Sequence, residues 1–199
     1  MGGLLLCFSA LARNGNIFIN TRYENGLLVT EAHIESDTSL EIMHGIVSDI
    51  NTRFRLVEID SLEWAIKGLS GKEEGKNLIR IELKRIEYDH VTEIFDFFID
   101  IYAGIMRKNF NVRVTVLLKS SSDSSILMEL QNPNFFLKSA GGTLSVQQND
   151  GKKQFVAHTS VRFGWLFNQF ITISNYQSVA EWRIQTLLEN LKSEANRRM

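Results

Sequence analysis

Cysteine, proline and net charge are all scarce in this sequence. It has one cysteine and one proline in 199 residues, and its 22 basic side chains nearly balance 23 acidic ones. A single thiol, Cys7, excludes an intrachain disulfide and a multi-cysteine zinc site, and we interpret it as a small buried residue. The balanced charge argues against a general nucleic-acid binder, which needs clustered Lys and Arg to displace counterions from phosphate. We therefore predict no metal, no cofactor and no nucleic-acid partner.

Long hydrophobic runs are lacking as well. No apolar run approaches the roughly 20 residues of a membrane helix, so we expect no stable membrane insertion. The apolar first residues resemble a signal-peptide core, but no basic region precedes them, because the first basic residue is Arg13. We therefore expect a cytoplasmic protein. The 44% of hydrophobic residues suffice for a substantial core, and residues 1–199 are expected to form a single α+β domain.

A β-hairpin is predicted near the N-terminus. Residues 16–22 and 26–34 have strand-like composition and flank the pair Asn25-Gly26, which supplies the positive φ angles that a tight turn requires.

A helix should follow this hairpin. Thr38 and Glu41 have the spacing of a capping box, and apolar residues then recur at helical intervals, so we predict a helix over 39–51. Residues 57–59 and 63–68 are predicted to be short strands.

The middle of the chain changes its periodicity. Residues 78–86 alternate between apolar and charged side chains, which predicts a strand with one wet face. Residues 91–108 instead carry apolar side chains at helical spacing, which predicts an amphipathic helix. The positions concerned are Ile94, Phe98, Ile101 and Ile105. The aromatic content of this segment leaves a strand as the alternative.

From Asn111 onward, one alternating segment follows another, and the connections are too short for parallel crossovers. We predict an antiparallel meander, with a tight turn at Asp150-Gly151. The chain then ends in a long amphipathic helix that starts at a second capping-box pair, Ser174 and Gln177. Its apolar stripe comprises Ala180, Ile184, Leu187, Leu188, Leu191 and Ala195.

This order of elements over residues 111–197 resembles the helix-grip proteins, the START and Bet v 1-like (SRPBCC) superfamily. The meander ends in the aromatic run 161–166, and the long helix closes on 187–194. The resemblance implies an α+β fold in which a curved antiparallel sheet wraps around a long C-terminal helix, here with additional helices near 39–51 and 91–108. The family pattern opens with a strand followed by short helices. Either 26–51 or 78–108 would supply that opening, and in the second case residues 1–75 form an N-terminal extension.

The resemblance also implies a cavity between the sheet and the C-terminal helix. Such a cavity would hold a hydrophobic small molecule, for example a lipid, fatty acid, sterol or polyketide. The predicted ligand-binding residues are Val114, Val116, Met128, Phe155, Ala157, Thr159 and Val161 on the sheet and Ile184, Leu188 and Leu191 on the helix. The alternative is that these side chains pack together as a dry core. His158 and Arg162 share the opposite face of one strand, so we expect them to point outward.

Catalytic and metal-binding motifs are not recognisable. Residues 70–77 match a phosphate loop only in Gly75-Lys76. His33 and Glu35 have the spacing of a zinc deaminase motif, but that site needs cysteine ligands that the sequence lacks. We assign no catalytic residue and no metal ligand, and the predicted function is non-catalytic binding or transport of a hydrophobic small molecule.

Two alternative functions remain. An interaction or scaffold module would use the apolar residues Trp165, Phe167 and Phe170, which would also serve as a homodimer contact. A cyclase- or hydrolase-like enzyme would use the same cavity with a polar pair that the sequence does not identify.

Overall fold

The structure, a computed structural model, describes residues 10–14, 17–68, 79–103, 108–122, 124–165 and 173–199. Cys7, the segment 70–77, Phe167 and Phe170 lie outside the described residues. The strands are β1 Ala10–Asn14, β2 Ile17–Glu24, β3 Leu27–Ser36, β4 Ile79–Asp89, β5 Ile94–Ala103, β6 Lys108–Ser122, β7 Ser125–Leu130, β8 Leu137–Asn149 and β9 Lys152–Phe163. The helices are α1 Leu40–Arg55, a 3-10 helix Ile59–Leu62, α2 Glu63–Ile66 and α3 Ile173–Arg197.

Both predicted tight hairpins are confirmed. Asn25 and Gly26 have φ angles of 51° and 79°, and Asp150 and Gly151 have 51° and 78°. Two successive residues in the left-handed region match the twist of the flanking strands, which is why Asn-Gly and Asp-Gly occur in such turns. The first turn joins β2 to β3, and the second joins β8 to β9.

The first predicted helix is also confirmed, with different ends and a different cap. Helix α1 begins at Leu40, and the N-cap is Ser39, whose hydroxyl accepts a hydrogen bond from the Ile42 N–H at 3.3 Å. Thr38, the predicted cap, is buried, and its hydroxyl accepts a hydrogen bond from Ser36. The helix extends to Arg55, beyond the predicted end.

The predicted helix over 91–108 is wrong, because this segment contains strand β5. Phe95 and Phe97 point to one face of the sheet, and Asp96 points to the other, where it accepts a hydrogen bond from Arg113 Nε at 2.8 Å. The helical pattern arose because Phe98 is apolar on the charged face. There the Arg85 guanidinium covers its ring, with the guanidinium carbon 4.3 Å from the ring centroid.

The two short strands predicted after α1 are wrong as well. This region contains the 3-10 helix and α2, in which Leu62 and Ala65 are 0% and 4% exposed. Their spacing of three residues puts both on one side of a helical turn. Val57, the first residue of a predicted strand, has a φ of 58°, which no strand accommodates.

Within the described residues the strands form one antiparallel sheet in the order β1-β2-β3-β9-β8-β7-β6-β5-β4. Strand β3 pairs with β9 and is followed by α1 and α2, so residues 26–51 supply the opening strand and helix. Strands β4 and β5, which fall within the range 78–108, belong to the meander. The sheet is curved and open, and with the long α3 it confirms the predicted α+β helix-grip fold class. That residues 1–199 form a single domain stays a prediction.

The inner face of the sheet is the one covered by helices. Helix α3 contacts β2, β3 and β9, and α1 contacts β7 and β8. Paired residues such as Ala32 and Ala157 point inward, where both are buried. His158 points outward and is exposed, with its Nε2 3.9 Å from Glu31 Oε1, which confirms that the apolar face of β9 is the inner one. No described helix combines the length and the hydrophobicity that a membrane span requires.

Candidate ligand-binding site

One end of the inner face is tightly packed. Phe95, Leu118, Ile126, Val146 and Phe155 come from five different strands, and each is at most 7% exposed. Helix α1 covers this end with buried apolar side chains at helical spacing. These are Met43, Ile46, Val47 and Ile50. This end of the sheet is the main hydrophobic core.

A smaller packed cluster lies elsewhere on the same face. Val112 and Phe136 are 6% and 5% exposed, and Phe110 packs edge-on against Phe136 with ring centroids 5.5 Å apart. Along β6, Val112 is six residues from Leu118, which belongs to the main core. Along β6 the two clusters are therefore separated by two inward-pointing residues, Val114 and Val116.

The inward-pointing residues between these clusters are only half-buried. We call this set the inner belt, and it comprises Val114, Val116, Met128, Ala140, Gly142, Thr159 and Val161. On β9, Phe155 and Ala157 are buried, whereas Thr159 and Val161 on the same face keep accessible surface. The inner belt thus keeps part of its surface uncovered, although Met128 packs against the main core and Val114 against the smaller cluster.

The centre of the inner belt is a depression in the sheet surface because β8 has very small residues there. Gly142 pairs with Met128 on one side and Thr159 on the other, and Ala140 pairs with Val161. A Cβ atom at Gly142 would meet Thr159 Cγ2 at 3.4 Å and the His158 carbonyl oxygen at 3.5 Å, which is close to ordinary contact. Glycine inside a strand often marks a place where another group approaches the backbone closely. Small side chains at both positions thus leave a recess in the sheet.

The predicted ligand-binding residues fall into two groups. Val114, Val116, Met128, Thr159 and Val161 belong to the inner belt. Phe155, Leu188 and Leu191 are 0% exposed, Ala157 is 4% exposed and Ile184 is 9% exposed, so these side chains pack against other parts of the main core. The ligand-binding role of both groups stays a prediction. The sequence interpretation missed Ala140 and Gly142, although two small residues at alternate positions of a strand are visible in the sequence.

The sheet-facing stripe of α3 changes character along the helix. In its C-terminal half, Ile184, Leu188 and Leu191 are buried. In its N-terminal half the same stripe continues as Gln177 and Glu181, which are half-buried. Gln177 Nε2 donates to the Thr21 carbonyl oxygen at 3.5 Å and to Glu181 Oε1 at 3.1 Å. The N-terminal half of α3 therefore places a polar pair against the sheet.

Three threonines point inward along one row that crosses β2, β3 and β9. Thr21 pairs with Thr30, and Thr30 pairs with Thr159. The hydroxyls of Thr21 and Thr30 lie 3.1 Å apart and both side chains are buried. Thr159 is half-buried and belongs to the inner belt. Only the Thr159 end of the row therefore keeps accessible surface.

The C-terminal end of α3 is fastened to α1 by ion pairs. Glu194 is 5% exposed and accepts hydrogen bonds from Arg197 Nη2 at 2.6 Å and Arg198 Nε at 2.7 Å. Arg198 also donates to Asp49 of α1 at 3.0 Å. The hydrogen bond from Arg197, opposed in part by burial, lowers the pKa of Glu194 to about 2. The carboxylate is therefore charged at neutral pH, and it holds the packed end of α3 in place.

His33 and Glu35 both lie on the outer face of the sheet. The His33 ring stacks on Phe18 with centroids 5.0 Å apart, and burial lowers the pKa of His33. Glu35 accepts a hydrogen bond from Lys152 at 2.8 Å. Across the described part of the chain, no three His, Cys, Asp or Glu side chains are grouped so that they could hold a metal ion.

Only the comparison with solved structures found similar proteins, and it concerns the fold. No protein-family model and no curated protein sequence matches the chain. Among solved structures, it is similar to the di-domain ARO/CYC protein StfQ of the steffimycin biosynthetic pathway, with a TM-score of 0.53 and 12% identity over 86% of this chain and 51% of that one. The chain thus spans about half the length of StfQ.

Two further solved structures have the same fold. A conserved protein from Geobacillus kaustophilus has a TM-score of 0.51 and 14% identity, covering 85% of this chain and 95% of that one. Human STARD10 has a TM-score of 0.50 and 10% identity, covering 92% and 72%. The chain therefore has a START/Bet v 1-like helix-grip fold, as the sequence resemblance implied.

Proposed function

We propose that the protein binds a hydrophobic small molecule, such as a lipid, fatty acid, sterol or polyketide, without transforming it. The site would be the surface of the inner belt, on the face of the sheet that carries the helices. The observation that carries this proposal is the half-buried inner belt, which lies on the same face as two well-packed clusters. The helix-grip fold supports the proposal, because its sheet and helix enclose the face on which the belt lies.

The chemistry of the inner belt indicates an apolar ligand. Thr159 is its only polar side chain, and the others are Val, Met, Ala and Gly. Apolar surface transferred from water to an apolar contact contributes about 25 cal/mol per Å². A ligand that covers the belt gains this free energy without displacing packed core residues such as Phe155, which has no exposed surface.

Filling the recess tests this proposal. In Gly142→Leu the new side chain occupies the centre of the inner belt, and we expect affinity for an apolar probe such as Nile red to fall about tenfold or more. Native mass spectrometry after incubation with a cell lipid extract should show a bound mass on the wild-type protein and much less on the variant.

Gly141→Leu is the matched control, because Gly141 is the neighbouring residue and points to the outer face. A Cβ atom there would meet the Met128 carbonyl oxygen at 3.6 Å and Ser160 Oγ at 3.7 Å, so it fits without displacing the backbone. This variant should bind as the wild type does. The proposal fails if the wild-type protein retains no mass, or if both variants bind equally well.

A second candidate function is self-association or partner binding through exposed aromatic side chains. Trp165 is 59% exposed and Phe135 is 43% exposed. They lie near each other, because the N–H of Gly164 donates to the Phe136 carbonyl oxygen at 2.7 Å. Light scattering coupled to size exclusion should show a dimer that Trp165→Ser weakens. A monomer at high concentration would count against self-association.

A further inference from the structure

Thr159 carries the only hydroxyl group of the inner belt. It is half-buried and keeps accessible surface, whereas Phe155 and Ala157 on the same face of β9 are buried. Among the described residues, the Thr159 hydroxyl has no hydrogen-bond partner. A hydroxyl can donate one hydrogen bond and accept two, so this side chain keeps bonding capacity that the fold does not use.

The other two threonines of the same row have hydroxyls that satisfy each other. Thr21 and Thr30 are 0% and 1% exposed, and their hydroxyl oxygens lie 3.1 Å apart. Thr30 pairs with Thr159 across β3 and β9, but the hydrogen bond does not extend to Thr159. Packing in this row therefore pairs two hydroxyls and leaves the third, at the uncovered end, for another partner.

Thr159 lies at one side of the inner belt. The belt crosses β9, β8, β7 and β6, which are three strand spacings of about 4.8 Å, or roughly 14 Å in all. Beyond Thr159, on β3, Thr30 is buried, so the accessible surface of this row ends at Thr159. The methyl group of Thr159 faces Gly142, because Thr159 Cγ2 is 3.4 Å from where a Cβ atom on Gly142 would be. A ligand that lies across the belt therefore meets apolar surface along its length and a hydroxyl at one end.

The sheet around the inner belt offers no positive charge. The belt itself has no charged side chain, and the inward residues that pair with its members from outside it are uncharged too. They are Leu28, Thr30, Phe95, Phe97, Leu118 and Leu130. A carboxylate or phosphate bound on this surface would lose hydration without gaining a cation, which costs free energy. A neutral polar group costs less and can form a hydrogen bond with Thr159.

We propose that Thr159 binds the polar end of the ligand, and that the ligand is an apolar body ending in one neutral hydroxyl or carbonyl group. This inference rests on the proposed function and names its ligand class. The Thr159 hydroxyl donates to a carbonyl oxygen, and it either donates to or accepts from a ligand hydroxyl. Alcohols and ketones with a long apolar body belong to this class, whereas fatty acids, which are ionised at neutral pH, do not.

Three compounds with the same alkyl chain test the polar end. Decanol is neutral and forms strong hydrogen bonds, chlorodecane is neutral and forms only very weak ones, and decanoate is charged. Each is titrated at neutral pH against the protein carrying Nile red, and displacement is followed by fluorescence. We expect the wild-type protein to bind decanol about tenfold more tightly than decanoate.

Thr159→Val replaces the hydroxyl by a methyl group and keeps the shape of the side chain. It should weaken decanol binding about fivefold and change chlorodecane binding less than about twofold. Thr159→Ser keeps the hydroxyl, so it should keep the wild-type ratio of the two affinities. Thr143→Val is the matched control, because Thr143 is next to Gly142 on β8 but is exposed on the outer face, where it pairs with His158. This variant should bind all three compounds as the wild type does.

The outcomes separate the two proposals. The ligand class is overturned, and the proposed function stands, if decanoate binds as tightly as decanol or if Thr159→Val does not change the ratio of the decanol and chlorodecane affinities. The same conclusion holds if Nile red binds and decanol does not displace it. If the folded wild-type protein binds neither Nile red nor any of the three compounds, the proposed function is overturned together with the ligand class.

Discussion

The two halves of α3 face the same sheet but contact it through different kinds of side chain. In the C-terminal half, Ile184, Leu188 and Leu191 are buried, and Glu194 joins the helix to α1 through Arg198. In the N-terminal half, the same stripe carries the half-buried polar groups Gln177 and Glu181, and Gln177 contacts the sheet at Thr21. One half of the helix therefore packs as hydrophobic core, and the other half contacts the sheet through polar groups.

The sheet shows the same division. Along β9, the inward side chains pass from fully buried Phe155 to half-buried Thr159 and Val161 within six residues. Close packing at one end supplies the free energy of folding, and this allows apolar surface at the other end to stay uncovered. A binding site is held best by rigid, well-packed elements, so this division agrees with the proposed function.

Truncating one side chain in the main core and one in the inner belt should show the difference between the two regions most clearly. Leu188→Ala removes a fully buried side chain from the main core, so we expect the free energy of unfolding to fall by about 2–5 kcal/mol. Val161→Ala removes a half-buried side chain from the inner belt, and its loss should be about 1 kcal/mol or less. Urea denaturation measures both. Equal losses at the two sites would contradict the division.

Removing the charge of Glu194 tests the packed half by a second route. In Glu194→Gln the hydrogen bonds from Arg197 and Arg198 lose their charged acceptor, so the free energy of unfolding at neutral pH should fall by about 1–3 kcal/mol. The lower end of this range applies if water screens Arg197, which is 72% exposed. Ligand affinity should not change.

The pH dependence of this loss has a definite direction. The pKa of Glu194 is about 2 in the folded protein against an ordinary value of 4.5, so the folded state favours the charged form. The stabilisation is complete above the ordinary pKa and disappears as the pH falls from 4.5 to about 2. The stability difference between wild type and Glu194→Gln should therefore close over that interval. A difference that does not depend on pH would refute the ion-pair explanation.

Local signals made the hairpins and the long helices predictable from the sequence. Asn25-Gly26 and Asp150-Gly151 require turns with two positive φ angles, and the stripe of α3 has a clear helical period. The cap of α1 was placed one residue early, because Thr38 and Ser39 are both good capping residues and only the fold buries Thr38.

Strand β5 and the inner belt could not be predicted from the sequence, because they depend on contacts between distant segments of the chain. In β5, the outward Phe98 obscured the alternation, and the arginines that cover it come from β4 and β6. For the belt, residue type does not distinguish Val161 from Val146, although the first is half-buried and the second is 7% exposed. Val146 is buried because β8 packs against α1, a contact between segments that are far apart in the sequence.

The smallest change in the free energy of unfolding is expected for two threonines, Thr30 and Thr159, which pair directly across β3 and β9. Thr30→Val leaves the buried hydroxyl of Thr21 without its partner at 3.1 Å, which should lower the free energy of unfolding by about 1–2 kcal/mol. Thr159→Val removes a hydroxyl that has no hydrogen bond among the described residues, so its effect should lie within about 0.5 kcal/mol of zero. Both are isosteric changes in one row of the sheet, and chemical denaturation measures both. Equal losses would show that Thr159 lies in packed core and does not belong to the inner belt.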